Sequence, residues 1–502
     1  GNADAAYTQW TGTAELPDGT PAKWSAQQIE NKIAENIPVK SEPPTHGNII
    51  YPFTSFGSES LPTAETLLIK NATLWTCEKE GKIEGGEILI SGGKIVALGK
   101  KVDASGYKNI AVLNAAGKHV TPGIIDEHSH IAVESVNESG QASSAEVAES
   151  SVLMPDDINI YRQLSGGVTG AQLLHGSANP IGGQSALVKL HWTGNADKML
   201  IPNTPGFIKF ALGENVKQSN WYSDGTRFPQ TRMGVEQFYY DHFIRAREYG
   251  IAKKNAAVTP FRKDLELDAL QEILDKKRFV TCHSYVQSEI NMLMHVADSM
   301  QFTLNTFTHI LEGYKVADKM KQHGAGASSF SDWWAYKVEV KDAIPYNGAL
   351  MWREGITVAF NSDDAEMARR LNQEAAKAVK YGNVPEEEAL KFVTLNPAKL
   401  LHIDTRTGSL KAGKDADIVI WSDHPLSIYA KAEQTFVEGV RYFDKDRDEQ
   451  LRNAMKTERA RLIQKMLNAK SNGEAVQSPT MKDKRHFHCD TIDQTAAGID
   501  FR

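Results

Sequence analysis

The stretch Thr121–Ala132, TPGIIDEHSHIA, places two histidines one residue apart, directly after an apolar run that reads as a β-strand. In an extended strand, residues i and i+2 face the same side. His128 and His130 therefore project together, as two ligands of one metal ion must, with Asp126 and Glu127 just ahead of them. Taken alone, the pair also fits two polar residues at a strand end. The rest of the chain has to decide.

The 502 residues exceed one ordinary domain and suit a large enzyme domain with accessories. Hydrophobic residues make up 41% of the chain, enough for a sizeable core. A formal net charge of -7 gives no sign of a polyanion-binding surface, so no nucleic-acid partner is expected. No window approaches the ~18 consecutive apolar residues that span a membrane. Cys77, Cys282 and Cys489 are few, scattered and odd in number, which implies no disulfide framework. The first residues are Gly-Asn-Ala rather than Met. This suggests a trimmed or mature form, and leaves the compartment open between the cytoplasm and export with a signal peptide removed. The expected partner is a small-molecule substrate, and a homo-oligomer is compatible with the chain.

Residues 1–63 are rich in Gly, Pro, Thr and Ser, with one helical pattern, SAQQIENKIAENI, and no core of their own. They read as an extension that wraps over a neighbouring domain. Residues 64–122 change to short strands with turn signals, SGGK being a hairpin turn between apolar runs. The same texture returns in ADIVIWS and QTFVEGVRYF, so 64–122 and 403–445 are expected to form one composite β-domain. Between them, over 123–402, strand-like and helical runs alternate, which predicts a parallel α/β architecture. Residues 446–502 open on an amphipathic helix, with Leu451, Met455, Leu462, Ile463 and Met466 at helical spacing, and end in a polar tail containing RHFHCD.

Several strands of the α/β region end in chemically expensive residues. GVTGAQLLHG ends at His175, and GFIKFALGEN contains Lys209 and ends near Glu214. RFVTCHS ends at His283, LNTFTHI at His309, and GITVAFNSDD at Asp363 and Asp364. One buried histidine at a strand end is unremarkable; a metal-competent residue at the same end of five strands favours a metal site.

On these motifs, with the closing TLNPAKLLHIDTRTGSLKAGKDADIVIW, the sequence over roughly 65–445 resembles the amidohydrolase superfamily, on its imidazolonepropionase-like branch. The resemblance implies a TIM-like (β/α)8 barrel inserted in a small composite β-sandwich domain, with catalytic residues at the C-terminal ends of the strands. It implies a metal-ligand set of His128 and His130, Lys209 or Glu214, His283, His309 and Asp363. Zinc suits such nitrogen and oxygen donors, as one or two divalent ions, other transition metals also being compatible. A bound cation lowers the pKa of a water toward ~7 and polarises a carbonyl, and Asp363 would be the general acid/base.

Lys209 and Glu214 compete for one role. An ammonium is a donor only and cannot ligate a cation, but a lysine carboxylated by carbon dioxide presents two oxygens and can bridge a pair. Between FIKFALGEN and the His283 strand the patterns are helical, GVEQFYYDHFIRAREYG and DLELDALQEILDKK, so FIKFAL should be the fourth strand, with Lys209 inside it. The alternative makes Lys209 an ion-pair partner and Glu214 the ligand. The segment 175–205 leaves room for a third strand, SALVKL, but little helix. HGSANPIGGQS lacks the Lys-Ser/Thr of a phosphate loop and reads as a shaped loop. His175, Glu312 and Tyr314 are candidates to line a substrate pocket, and the tryptophans of FSDWWAYK serve either packing or a substrate-facing wall. HFHC in the tail lacks a second metal-capable pair and reads as a solvated or packed tail.

The expected function is metal-dependent hydrolysis of a C–N amide bond in a cyclic amide, dipeptide or N-acyl amino acid. Deamination of an aromatic amidine is the alternative within the fold. The superfamily's deaminases typically carry a glutamate three residues after the strand-5 histidine, where this chain has Val286. A non-catalytic binding protein is the other alternative, and the intact ligand set opposes it.

Overall fold

The turn Ser91–Lys94 shows how the β-rich part is built. Gly92 and Gly93 both take positive φ, 57° and 79°, which a two-residue hairpin turn of matching twist requires. Lys82–Ser91 and Lys94–Gly99 accordingly pair antiparallel. The computed structural model describes residues 1–6, 8–16, 19–27, 60–217, 227–256, 260–475 and 477. These fall in two units, Gly1–Ile49 and Ile50–Arg502.

In the first unit, Asn2–Ala3, Gln9–Glu15 and Pro21–Gln27 form a three-stranded sheet. The helical pattern expected from Ser25 onward is corrected at its start, since Ser25–Gln27 are strand. Trp24 and Ala26 pair across to Gly12 and Trp10, and these tertiary contacts override local helix propensity. The remainder of that pattern lies outside the described residues, as do Cys489 and the HFHC tail.

In the second unit, one eight-stranded sheet takes strands from both sides of the α/β region. Its order is Val440–Asp444, Ala432–Val437, Ile418–Trp421, His119–Pro122, Leu67–Trp75, Lys82–Ser91 and Lys94–Gly99, with Ala111–Asn114 beside Leu67–Trp75. The junction is antiparallel pairing of Ile418–Trp421 with His119–Pro122. Ile69, Leu74, Ile88, Val120, Ile418, Ile420 and Phe436 share one buried cluster beneath it.

The α/β region holds two further sheets. Ile124–Ser129 runs parallel to Val168–Leu173. Gly206–Ala211, Arg278–Ser284, Leu304–His309, Gly326–Ser329 and Val358–Phe360 follow one another in parallel. Helices Arg232–Lys254 and Leu265–Leu274 separate Gly206–Ala211 from Arg278–Ser284, as the sequence patterns predict. The third position departs from an all-parallel arrangement. Ala186–Lys189 is antiparallel to Val168–Leu173, and Ile181–Gln184 is antiparallel to Gly206–Ala211. A parallel return needs a crossover of about a dozen residues or more, usually a helix. Residues 174–185 lie between the first pair and contain no helix, only the strand Ile181–Gln184, so the chain returns antiparallel.

The C-terminal helix Lys445–Ser471 is capped by the Asp444 carboxylate, which accepts from the N–H groups of Asp446 and Arg447. Met455, Leu462, Ile463 and Met466 are exposed on it.

A buried charge cluster ties the α/β region to the eight-stranded sheet. The Lys189 ammonium lies 2.9 Å from Asp417 and 3.0 Å from Glu438 and also pairs with Asp415. Lys189, Asp415 and Asp417 are all buried. Lys189→Met would leave two buried carboxylates short of their main counter-charge. It should cost about 3–5 kcal/mol, read as a lowered midpoint in chemical denaturation; a midpoint equal to the parent's would show that Lys94 and Arg406 suffice.

Candidate metal centre

The strands deliver their terminal side chains to one buried point. His128 Nε2 lies 3.1 Å from His130 Nε2 and 3.3 Å from Lys209 Nζ. The Asp363 carboxylate is 3.1 Å from His130 Nε2, 3.5 Å from His128 Nε2 and 3.7 Å from His309 Nε2. His128, His309 and Asp363 each offer a ligand atom within 4.8 Å of the others. The His283 ring centroid is 4.7 Å from that of His309. All four histidines and Lys209 are buried, and Asp363 is 9% exposed.

Backbone conformation explains how consecutive residues share this point. His128 and His130 follow strand alternation. His309 and Asp363 do not: φ is +64° at His309 and +46° at Asp363. The left-handed region costs an L-residue roughly 1–2 kcal/mol, and it takes both residues out of regular strand geometry.

A polar layer supports the His128 imidazole. His128 Nδ1 is 2.8 Å from Thr308 Oγ1, whose hydroxyl reaches Glu127 Oε2 at 3.5 Å. With the hydroxyl directed to Glu127, Nδ1 donates and Nε2 keeps its lone pair toward the centre. Asn361 donates to Ser328 Oγ at 2.9 Å and to Thr308 Oγ1 at 3.4 Å. Burial, reinforced by the Lys209 charge and neighbouring imidazoles, holds His128 well below the ordinary histidine range. His283 is depressed in the same way, by burial and then by His309 and Lys209. Neutral imidazoles are the form that ligates a metal. Burial also pushes Asp126 up to about 7, against its hydrogen bonds from Ser362. Glu127 and Glu149 rise to about 8, burial outweighing the opposing pull of Lys209.

The other candidates from the sequence make different contacts. Glu214 turns away after Gly213, whose φ is +91°. Its carboxylate lies 2.8 Å from both Lys217 and Arg232, so Lys209 and not Glu214 stands beside His128. His175 accepts from the Glu138 N–H at 2.8 Å and donates to the Gly176 carbonyl at 3.0 Å, using both ring nitrogens to hold its loop. A Cβ at Gly182 would come within 2.8 Å of that ring, which accounts for a glycine there. Glu312 accepts from the Gln287 N–H at the start of helix Gln287–Met300. The Tyr314 hydroxyl donates to the Asp342 carbonyl. Of FSDWWAYK, Phe330 stacks on His309 at 4.8 Å and Trp333 on Phe330 at 4.3 Å, while Trp334 is exposed. Asp364 faces its own loop, accepting from the N–H groups of Glu366 and Met367.

Thr308, Ser328 and Asn361 carried one signal in the sequence, hydroxyl and amide residues within or just past strands, as in TFTH and AFNS; Glu149, in the turn Glu149–Val152, carried none.

The donor set fits a divalent cation. Both ring nitrogens of His283 are buried without a hydrogen-bond partner among the described residues. His128 and His130 point Nε2 at Nε2 beside a carboxylate, an arrangement that a cation between them satisfies. Neutral imidazole and carboxylate donors match zinc.

Residues 270–442 match the Amidohydrolase family. The chain is 30% identical over 429 residues to the amidohydrolase tasK of Hapsidospora irregularis, covering 75% of this chain and 43% of that protein. It is 42% identical over 111 residues to the imidazolonepropionase of Picrophilus torridus, covering 20% of this chain and 28% of that one. It thus spans less than half the length of these curated relatives. The crystal structure of an amidohydrolase from Thermotoga maritima superimposes with a TM-score of 0.69 at 28% identity, covering 75% of this chain and 100% of that one. The chain carries a domain of the amidohydrolase family, in accord with the imidazolonepropionase-like branch.

Proposed function

We propose that the protein is a metal-dependent hydrolase of a C–N amide bond in a cyclic amide, a dipeptide or an N-acyl amino acid. The observation that carries this reading is the buried convergence of His128, His130, His309 and Asp363, with His283 edge-on against His309 and Lys209 3.3 Å from His128. In this reading 123–402 close as a (β/α)8-type barrel whose third strand is reversed. Residues 64–122 and 403–445 form the composite β-domain, 1–63 are an extension, and 446–502 are a helix and tail. These five residues and Lys209 would hold zinc, with Lys209 carboxylated were two ions bound; no ligand role falls to Glu214. The ion would supply Lewis acidity, lowering the pKa of water and polarising the substrate carbonyl.

The chain's own groups then divide the work. Asp363 takes the proton of the attacking water and delivers it to the leaving nitrogen as the C–N bond breaks. The Glu127–Thr308–His128 chain keeps the imidazole neutral and oriented. Near-complete burial keeps bulk water away from the reacting atoms.

A second reading has one observation in its favour. The chain is 40% identical over 80 residues to a 5-methylthioadenosine/S-adenosylhomocysteine deaminase of Thermoanaerobacter pseudethanolicus. Against it, Val286 stands three residues beyond His283, where a carboxylate shuttle would be needed.

Elemental analysis of the purified protein should find one or two equivalents of zinc, and a hydrolysis screen over the three amide classes should find turnover. A metal-free protein that hydrolyses none of them would end this reading. Asp363→Asn should lose about 10²–10⁴-fold in rate while keeping fold and most metal, whereas Asp364→Asn should stay within about tenfold of the parent. Equal behaviour of the two variants would remove Asp363 from the proton transfer. Thr308→Val, which deletes the acceptor for His128 Nδ1, should weaken metal affinity by roughly 10–100-fold. A chelator titration matching the parent's would show that the hydroxyl does not orient the ring.

A further inference from the structure

We propose that Asp126 and Ser362 form a clamp that places the Asp363 carboxylate at the metal centre, making both positioning residues of the site. The inference rests on the metal-dependent reading above and extends it to two residues that do not touch the ion.

The strands Ile124–Ser129 and Val358–Phe360 belong to different sheets, and no ladder pairing joins them among the described residues. Side-chain and single backbone bonds span that seam. The Ser362 N–H donates to Asp126 Oδ1 at 3.0 Å, and the Ser362 hydroxyl donates to Asp126 Oδ2 at 2.5 Å. One residue on, the Asp363 N–H donates to the His128 carbonyl at 3.1 Å. The seam is therefore closed at the two residues that end in the acid/base, and on the strand that ends in the paired histidines.

Three features make this more than strand closure. Asp363 has φ +46°, a conformation that persists only where its surroundings over-determine it. Its predecessor is gripped by both oxygens of one carboxylate, and its own N–H is taken by His128. The Ser362 hydroxyl also accepts from the Asp364 N–H at 3.2 Å, so its proton is directed to Asp126 and the turn beyond Asp363 is tied to the same atom. Lastly, His128 meets Asp363 twice, through its carbonyl and through Nε2, 3.5 Å from Asp363 Oδ1. A shift of Ser362 moves the carboxylate relative to the imidazoles, and a metal ion reads that geometry directly. Asp126 and Ser362 are fully buried, so no solvent can replace either partner.

The test uses the full chain loaded with cobalt(II), which needs no substrate. Asp126→Asn keeps the shape and one acceptor for the Ser362 N–H but loses the acceptor for the hydroxyl; Ser362→Ala removes the hydroxyl alone. Each should keep the parent's circular dichroism, bind cobalt roughly 10–100-fold more weakly against a competing chelator, and show an altered visible cobalt spectrum. The double variant should lose no more than the weaker-binding single one, since both cut the same link. Folded variants with the parent's affinity and spectrum would overturn the proposal, as would additive losses in the double variant. If neither single variant folds, the pair serves the fold and the positioning role is likewise overturned. A parent protein that binds no cobalt would instead remove the metal reading on which the proposal stands, a result seen before any variant is made.

Discussion

Two imidazole nitrogens 3.1 Å apart, buried and beside a carboxylate, set the terms for the rest of this structure. His128 Nε2 and His130 Nε2 cannot both present lone pairs to one another without a positive group near them. The Lys209 ammonium at 3.3 Å from His128 supplies some of that charge. The carboxyls of Asp126, Glu127, Glu149 and Asp363 are buried in the same region, and burial pushes the first three toward or above neutrality. Burial thus favours the neutral form of those three acids, and a divalent cation would pull their carboxyls down while satisfying the facing nitrogens.

The same constraint accounts for the supporting polar layer. A lone imidazole in an apolar core can rotate or change tautomer at little cost. Thr308, Asn361 and Ser328 remove that freedom for His128 by filling the strand interiors with directional groups. Such a network stabilises only when its members are satisfied. It therefore demands strands held in fixed register, and the parallel ladders from Gly206 to Phe360 provide that register.

Much of this was legible in the sequence, because the signals were periodic or chemical. HSH after an apolar run placed two imidazoles on one face, and the strands ending at His283, His309 and Asp363 could be counted from their apolar runs. The choice between Lys209 and Glu214 was not legible. It depended on Gly213 turning the chain and on Arg232 and Lys217 drawing the Glu214 carboxylate outward, both of them three-dimensional facts. The reversal of the third strand was half visible, as a segment too short for a helix. The strand at Ser25–Gln27 was hidden because its residues suit a helix locally and only cross-strand pairing makes them extended. His175, Glu312 and Tyr314, polar residues that follow strands, each bond to nearby backbone groups, and Glu312 also faces the Lys315 ammonium, contacts the sequence does not show.

The eight-stranded sheet acquires a physical role from where its bonds fall. Gly123, just ahead of the histidine strand, donates its N–H to the Asp417 carbonyl, and Asp417 also pairs with Lys189. The strand carrying His128 is thus anchored at its start by the sheet and at its end by Ser362 and Asp363. Strands at both ends of the α/β region's sequence meet the same fixed strand, which lets residues more than two hundred positions apart stay within hydrogen-bond distance. A loosening at Lys189 would then be felt at the histidines through the strand between them. The sheet is part of the site's geometry although none of its side chains reaches the metal centre.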